Sequence, residues 1–166
     1  MSRYFLLAAA LGLACAAAPA QFLRPPRPQP EAFFWAGMQL GSYGKEMAEM
    51  EFSLSAQPAK GVYGSIYWLG ASVPFSAGDE LTEYGVMAGP CARSRGAFAG
   101  AAIGLGVVSG WFGAATRKAT AFGVPFKAEA AVILGGFLAI NLQVRAFVWK
   151  RTHGGVSLGL QLGKMR

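Results

Sequence analysis

The fold is decided by residues 122–166, which read FGVPFKAEAAVILGGFLAINLQVRAFVWKRTHGGVSLGLQLGKMR. Every second residue is apolar in three segments of this stretch, at about 124–134, 138–148 and 156–162. The residues between them are polar, charged or small. Because successive side chains of a β-strand point to opposite faces, this period of two predicts three strands that each have one apolar and one polar face.

The Gly135-Gly136 pair predicts a tight hairpin between the first two of these strands. A three-residue loop, Gly135 to Phe137, sets Glu129 opposite Gln143, whereas a two-residue loop would set Glu129 opposite an apolar residue. Since a slip of one residue inverts every side chain, the pattern selects the three-residue loop, although it sets two like charges opposite each other. This register predicts a polar cluster on one face, formed by Lys127, Glu129, Asn141, Gln143 and Arg145.

Five further strand candidates precede this region, at about residues 32–42, 48–56, 61–73, 81–91 and 96–111. The breaks between them are rich in turn-forming residues. The fifth also admits a helical interpretation, because Gly96, Gly100 and Gly104 have the small-xxx-small spacing of packed membrane helices. Read at period two, however, the segment places Ile103 and Leu105 on one face and its glycines on the other. We therefore predict eight strands in an antiparallel up-and-down meander.

The first 31 residues are interpreted as lying outside this fold. Residues 1–20 have a basic start, a short apolar run and an Ala18-Pro19-Ala20 end, which together predict a signal peptide. A retained membrane anchor and a lipoprotein modified at Cys15 are the alternatives. Residues 21–31 contain four prolines and two arginines and predict an extended basic arm. The barrel domain is assigned to residues 32–166.

The charge of the chain bears on its partners. The sequence contains 15 Lys and Arg residues and 8 Asp and Glu residues, a formal net charge of +7. In an exported chain this charge favours lipid or lipopolysaccharide phosphates over nucleic acid. Cys91 is the only cysteine beyond the predicted signal peptide, so no internal disulfide is expected. The expected partners are outer-membrane lipid and lipopolysaccharide, no nucleic acid is expected, and the chain is expected to be a monomer.

The alternation leaves two locations open for the apolar faces. The eleven residues Leu138–Val148 match the roughly 9–11 that a tilted membrane-spanning strand needs. Aromatic residues also gather near predicted strand ends, as in interfacial girdles (Trp35, Trp111 and Trp149). A soluble barrel that carries an apolar ligand would turn the same residues inward. Alternation by itself does not distinguish inward from outward.

The C-terminal stretch resembles a known family. A strand that opens with Val124-Pro125-Phe126, the alternating hairpin, and the segment GVSLGLQLGK at residues 155–164 are similar to small bacterial outer-membrane β-barrel proteins of the OmpX and OmpA transmembrane-domain type. The resemblance implies an all-β fold, an eight-stranded antiparallel up-and-down membrane β-barrel. Together with the predicted signal peptide, this fold predicts an outer-membrane location after Sec-type export, and we expect a non-enzymatic structural or surface-interaction role.

Catalytic and metal-binding residues are not indicated. His153 is interpreted as an exposed loop residue, and Ser157 lies four residues away, about 13 Å along a strand. An outer-membrane lipid-modifying hydrolase is therefore the alternative, not the prediction. No cofactor, metal ligand set or catalytic residue is assigned. Two groups of acidic residues are interpreted as solvated. The first contains Glu46, Glu49 and Glu51, and the second contains Asp79, Glu80 and Glu83.

Two basic pairs lie in predicted external loops. These are Arg117-Lys118 and Lys150-Arg151. Lysine and arginine side chains suit contacts with phosphate, so these four residues are candidate contacts with lipopolysaccharide phosphates. Their alternative role is that of solvated loop charges.

Overall fold

The computed structural model describes residues 32–44, 47–74, 80–110, 118–150 and 152–165. These residues form a closed barrel of eight strands, each antiparallel to its neighbours, with the last strand paired to the first. The strands are β1 (Phe33–Tyr43), β2 (Met47–Ala59), β3 (Val62–Ser72), β4 (Glu80–Arg93), β5 (Ala97–Gly110), β6 (Ala119–Leu134), β7 (Leu138–Val148) and β8 (Thr152–Lys164). The predicted all-β, eight-stranded up-and-down barrel is confirmed. The predicted signal peptide and basic arm lie outside the described residues.

The two ends of the barrel differ in their connections. At one end, called here the turn end, short turns join β2 to β3, β4 to β5 and β6 to β7. The first residue of β1 and the last residue of β8 also lie at this end. The other end, called the loop end, carries the connections at residues 44–46, 73–79, 111–118 and 149–151.

The β6–β7 hairpin has the predicted register. Residues 135–137 form the turn, and Gly135 and Gly136 have φ values of 69° and 91°. Both values lie in the left-handed region that glycine adopts without strain. Glu129 pairs with Gln143, and Lys127 pairs with Arg145. The three-residue loop therefore keeps the polar residues of both strands on one face.

Several strands are longer than predicted. β8 begins at Thr152, so His153 is a half-buried strand residue and its assignment to an exposed loop is wrong. β2 continues through Pro58, past its predicted end at about residue 56, whereas β4 contains Pro90, as predicted, and continues to Arg93. A proline fits a strand where its missing N–H is not needed, and the β4–β5 pairing indeed skips from Ala88 to Cys91. Proline was therefore too strict a boundary signal.

The glycine-rich segment is a strand. Ile103 and Leu105 face outward from β5 and are 52% and 71% exposed, whereas Ala102 and Val108 are buried inside the barrel. This arrangement matches the predicted sorting by size, and the helical interpretation of this segment is wrong. No helix in the described part of the chain is long and apolar enough to cross a membrane.

The apolar faces point outward, and the polar faces point into the lumen. Large apolar side chains cover the outer surface, and their exposure ranges from 38% for Met50 to 84% for Phe122. In the hairpin, Ile140 and Leu142 are 43% and 44% exposed, whereas Arg145 is 3% exposed. This distribution is the reverse of that in a soluble barrel. It provides the outer apolar band and polar interior of a barrel surrounded by lipid.

Candidate functional site in the barrel lumen

The five residues of the predicted polar cluster all lie in the lumen. Lys127 and Glu129 extend from β6, and the other three extend from β7. Their exposed fractions are between 0% and 3% (Lys127, Glu129, Asn141, Gln143 and Arg145). A buried charge is tolerated only where it is paired and hydrogen-bonded, so the partners of these groups determine what the lumen can do.

Arg145 connects three strands across the lumen. One guanidinium nitrogen, Nη1, bonds to Glu51 on β2, and Nη2 donates to Glu83 on β4 at 2.7 Å. Tyr43 and Tyr67 donate their hydroxyls to the same Glu83 carboxylate, at 2.7 and 2.8 Å. The guanidinium also lies over the ring of Tyr67, 4.6 Å from its centroid. Arg145 therefore forms two charge-assisted contacts and a cation–π contact in a dry interior.

Amide side chains extend this network toward β8. Gln143 donates to Glu51 at 2.6 Å, and Gln39 donates to Gln143 at 2.9 Å. The hydroxyl of Ser157 then donates to Gln39 at 3.2 Å. The resulting chain of bonds holds opposite walls of the barrel together.

A second cluster is centred on Glu129. Its carboxylate lies 3.2 Å from Nζ of Lys127 and accepts bonds from Asn141 at 2.8 Å and Gln161 at 3.1 Å. The register sets Lys127 and Arg145 opposite each other, but they are stabilised by different carboxylates. The expected like-charge conflict of this register is removed because one cation pairs along β6 and the other across the lumen.

Aromatic side chains fill the turn end of the lumen. Trp35, Tyr63 and Phe98 contact one another, with ring centroids 5.2 to 6.3 Å apart. The guanidinium of Arg93 covers the ring of Phe33 at 4.1 Å from its centroid. This aromatic cluster packs below the polar network and leaves no room for a wide channel.

Glycine positions make the central packing possible. A Cβ atom added at Gly106 would lie 2.9 Å from the ring of Phe147 and 3.0 Å from the hydroxyl of Tyr67. Both rings are buried, so neither has free space into which it could move. The glycine face predicted for β5 thus accommodates aromatic side chains from β3 and β7.

Sequence reasoning missed three carboxylates of the lumen. Glu49, Glu51 and Glu83 were interpreted as solvated, but they are 3%, 0% and 0% exposed in the lumen. The signal was present in the alternation. Glu49 and Glu51 alternate with Met50 and other outward residues of β2, so they belong to the inward face. The same alternation places Glu83 on the inward face of β4.

The geometry offers no support for hydrolase chemistry. Ser157 donates its hydroxyl to Gln39. The ring of His153 stacks on Tyr43 and Trp149, with both centroid distances at 6.2 Å. Within the described ranges, no group of three or more His, Cys, Asp and Glu residues could hold a metal ion.

Glu49 differs from the other lumen carboxylates because neither of its oxygens has a hydrogen-bond partner in the described part of the chain. We expect Glu49→Gln to leave the free energy of unfolding within about 1 kcal/mol of the wild-type value or to raise it, because the change replaces a buried carboxyl group that has no hydrogen-bond partner. Glu83→Gln should lower it by about 1–3 kcal/mol, because Arg145 loses one of its two ionised partners and keeps Glu51. Urea unfolding from lipid vesicles measures the free energy of unfolding of both variants. Equal losses would contradict the different roles assigned to Glu49 and Glu83.

Two of the four predicted phosphate contacts can be located. Lys118 and Lys150 are exposed at the loop end, next to the first residue of β6 and shortly after the last residue of β7. Arg117 and Arg151 lie outside the described residues. The two lysines thus flank neighbouring strands of the same wall.

Comparison with solved structures shows the fold alone, because all sequence identities are low. The N-terminal β-barrel domain of Pseudomonas aeruginosa OprF has a TM-score of 0.65 at 7% identity, covering 80% of this chain and 97% of that one. A de novo designed transmembrane β-barrel has a TM-score of 0.60 at 10% identity, covering 83% and 99%. Ail, the attachment invasion locus protein of Yersinia pestis, solved with the heparin analogue sucrose octasulfate, has a TM-score of 0.57 at 12% identity, covering 80% and 97%.

Sequence comparison adds nothing to this result, since no protein-family model and no curated protein matches the chain. The expected similarity to small outer-membrane barrels of the OmpX and OmpA type is confirmed at the level of fold.

Proposed function

We propose that this chain is a non-enzymatic β-barrel of the outer membrane with a structural or surface-interaction role. The observation that carries the proposal is the reversed distribution of polarity. Apolar side chains such as Leu158 and Leu160, 58% and 49% exposed, form the outer surface, whereas Arg145 and its carboxylate partners are enclosed. In water this apolar surface would be exposed to solvent, whereas in a bilayer lipid acyl chains cover it.

The filled lumen supports a structural role over a transport role. Arg145, Glu51 and Glu83 cross the barrel interior as one ion-paired unit. Their side chains are at most 1% exposed, so they fill this level of the lumen. A solute pore would need a continuous hydrated path, which an eight-stranded barrel filled with side chains lacks.

The loop end supports a surface role. Lys118 and Lys150 are exposed there, and both are cations suited to phosphate or sulfate groups. Ail, a barrel of similar fold, was solved with the polyanion sucrose octasulfate. For this chain we infer contact with anionic groups at the membrane surface, with lipopolysaccharide phosphates as the first candidates.

Membrane fractionation with a heat-modifiability gel tests this proposal. The full chain is expressed in a Gram-negative host, and the inner-membrane, outer-membrane and soluble fractions are separated. We expect the protein in the outer-membrane fraction, with a band that changes mobility on boiling. Recovery of folded protein in the soluble periplasmic fraction would contradict the proposal and support the apolar-ligand carrier.

A further inference from the structure

The outer surface of the barrel contains a groove of about 390 Å³ across β4, β5, β6 and β7. Most of its lining residues are small or apolar and include Pro90, Ala101, Ala128, Val144 and Ala146. Its volume lies within the range of about 300–1,000 Å³ that is typical of small-molecule sites. A membrane-facing surface needs no such depression in order to contact lipid.

Both ladders of β5 are interrupted around this groove. The β4–β5 pairing skips from Ala88 to Cys91, and the β5–β6 pairing skips the residues beside Pro125. Proline lacks the N–H that a ladder bond requires, so each proline accounts for a local gap. The gaps distort the wall where its side chains are also small.

Exposure confirms that the surface is concave here. Val144 points outward from β7 but is only 7% exposed, whereas Leu142 on the same face is 44% exposed. Ile103 and Phe126, which are 52% and 41% exposed, stand at the side of the groove. Val144 therefore forms the floor of a depression between projecting side chains.

Two of the four strands that line the groove, β6 and β7, have a lysine beside their loop end, whereas β4 begins there at the exposed Glu80. Lys150 follows β7, four residues after Ala146 or about 13 Å along a strand. Lys118 precedes β6, ten residues before Ala128 or about 33 Å along that strand. A molecule that lies along β6 and β7 with an apolar part in the groove would therefore place a polar part beside Lys150 and extend from there toward Lys118.

We propose that the groove binds one acyl chain of a lipid whose anionic, phosphate-bearing headgroup contacts Lys118 and Lys150. The proposal rests on the membrane location inferred above. A depression beside Ile103 and Phe126 accepts a flexible chain more readily than the convex wall of a second barrel. The lysines supply the charge complementarity that selects an anionic headgroup, at roughly fivefold in affinity per lysine.

Native mass spectrometry of the refolded barrel in detergent tests this site. The probes are phosphatidylglycerol and the zwitterionic phosphatidylcholine with identical acyl chains, added at equal concentration. We expect the wild type to retain one phosphatidylglycerol with a preference of roughly 25-fold over phosphatidylcholine, about fivefold for each of the two lysines. Equal retention of the two lipids by the wild type would overturn the proposal.

Two variants separate the groove from the charges. Ala128→Phe fills the groove and should abolish retention of both lipids, and its matched control is Ala36→Phe on the outward face of β1. Ala101→Leu serves the same purpose if the phenylalanine variant does not fold. Similar retention of lipid by the groove and control variants would overturn the proposal. A wild-type dimer that carries no bound lipid, and that Ala128→Phe converts to a monomer, would also overturn it.

The charge variant is the Lys118→Ala/Lys150→Ala double substitution. It should reduce phosphatidylglycerol retention to the level of phosphatidylcholine. Its control removes two exposed lysines at the turn end, Lys60 and Lys164. Each protein is first checked for insertion into vesicles by its heat-modifiable band. Failure of the wild type to insert defeats the proposed function, whereas insertion without lipid preference defeats only the groove assignment.

Discussion

Replacing Arg145 with leucine should lower the free energy of unfolding by about 3–5 kcal/mol, the largest loss that we expect from a single lumen substitution. The change leaves the carboxylates of Glu51 and Glu83 buried without their cation. The cation that lies opposite Arg145 in the lumen, Lys127, is already paired with Glu129. The measurement is urea unfolding of the refolded barrel in lipid vesicles, followed by loss of the heat-modifiable band.

The triple variant Arg145→Leu/Glu51→Gln/Glu83→Gln is the matched control for this prediction. Neutral amides remove the uncompensated charge, so a substantial part of the lost stability should return, since a buried ion pair costs more when broken than when wholly replaced. Arg145→Lys should fall short of the wild type, because one ammonium group cannot reproduce the two-nitrogen contact of a guanidinium. A single leucine variant within 1 kcal/mol of the wild type would refute the role assigned to Arg145.

Placing a charge on the outer face should have the second largest effect. Leu142 lies near the middle of β7 and is 44% exposed. In a bilayer, Leu142→Arg should lower the free energy of unfolding by about 2–4 kcal/mol, because the guanidinium enters the hydrocarbon region. The same vesicle unfolding assay measures this loss.

Leu162→Arg is the matched control for the outer-face prediction. Leu162 is 56% exposed but lies near the turn end of β8, where a charge reaches the interface. Its loss should be only about 0–1 kcal/mol. In a soluble barrel, both arginines would be solvated and both variants would retain wild-type stability. The difference between the losses of stability at the two positions therefore reports the effect of the membrane and not that of the substitution itself.

Local pattern was sufficient to predict the strands and one register. The period of two gave the inward and outward parities of β6, β7 and β8, and the hairpin at Gly135-Gly136 admitted one register that kept polar residues on one face. Alternation is unchanged if a barrel is turned inside out, so sequence could not decide which face meets lipid. The structure decides it, because the enclosed face carries Lys127, Glu129 and Arg145.

The partners of Arg145 lay beyond the reach of local reasoning. Glu51 and Glu83 are 94 and 62 positions away in the sequence, and they meet Arg145 only because the sheet closes. The register argument placed Glu129 near Arg145, but Glu129 pairs with Lys127 instead. Closing a barrel brings distant strands within side-chain reach, and no pattern within one hairpin contains that information.

The seam between β1 and β8 sets the order of assembly. Ten residue pairs, from Phe34 with Lys164 to Tyr43 with Gly155, join the two strands that are farthest apart in the chain. Contacts of such high sequence separation form late and slow folding. A barrel that lacks β8 would present two unpaired backbone edges, which hydrocarbon does not tolerate. Stable residence in a bilayer therefore depends on β8, the thirteen-residue strand that closes the barrel.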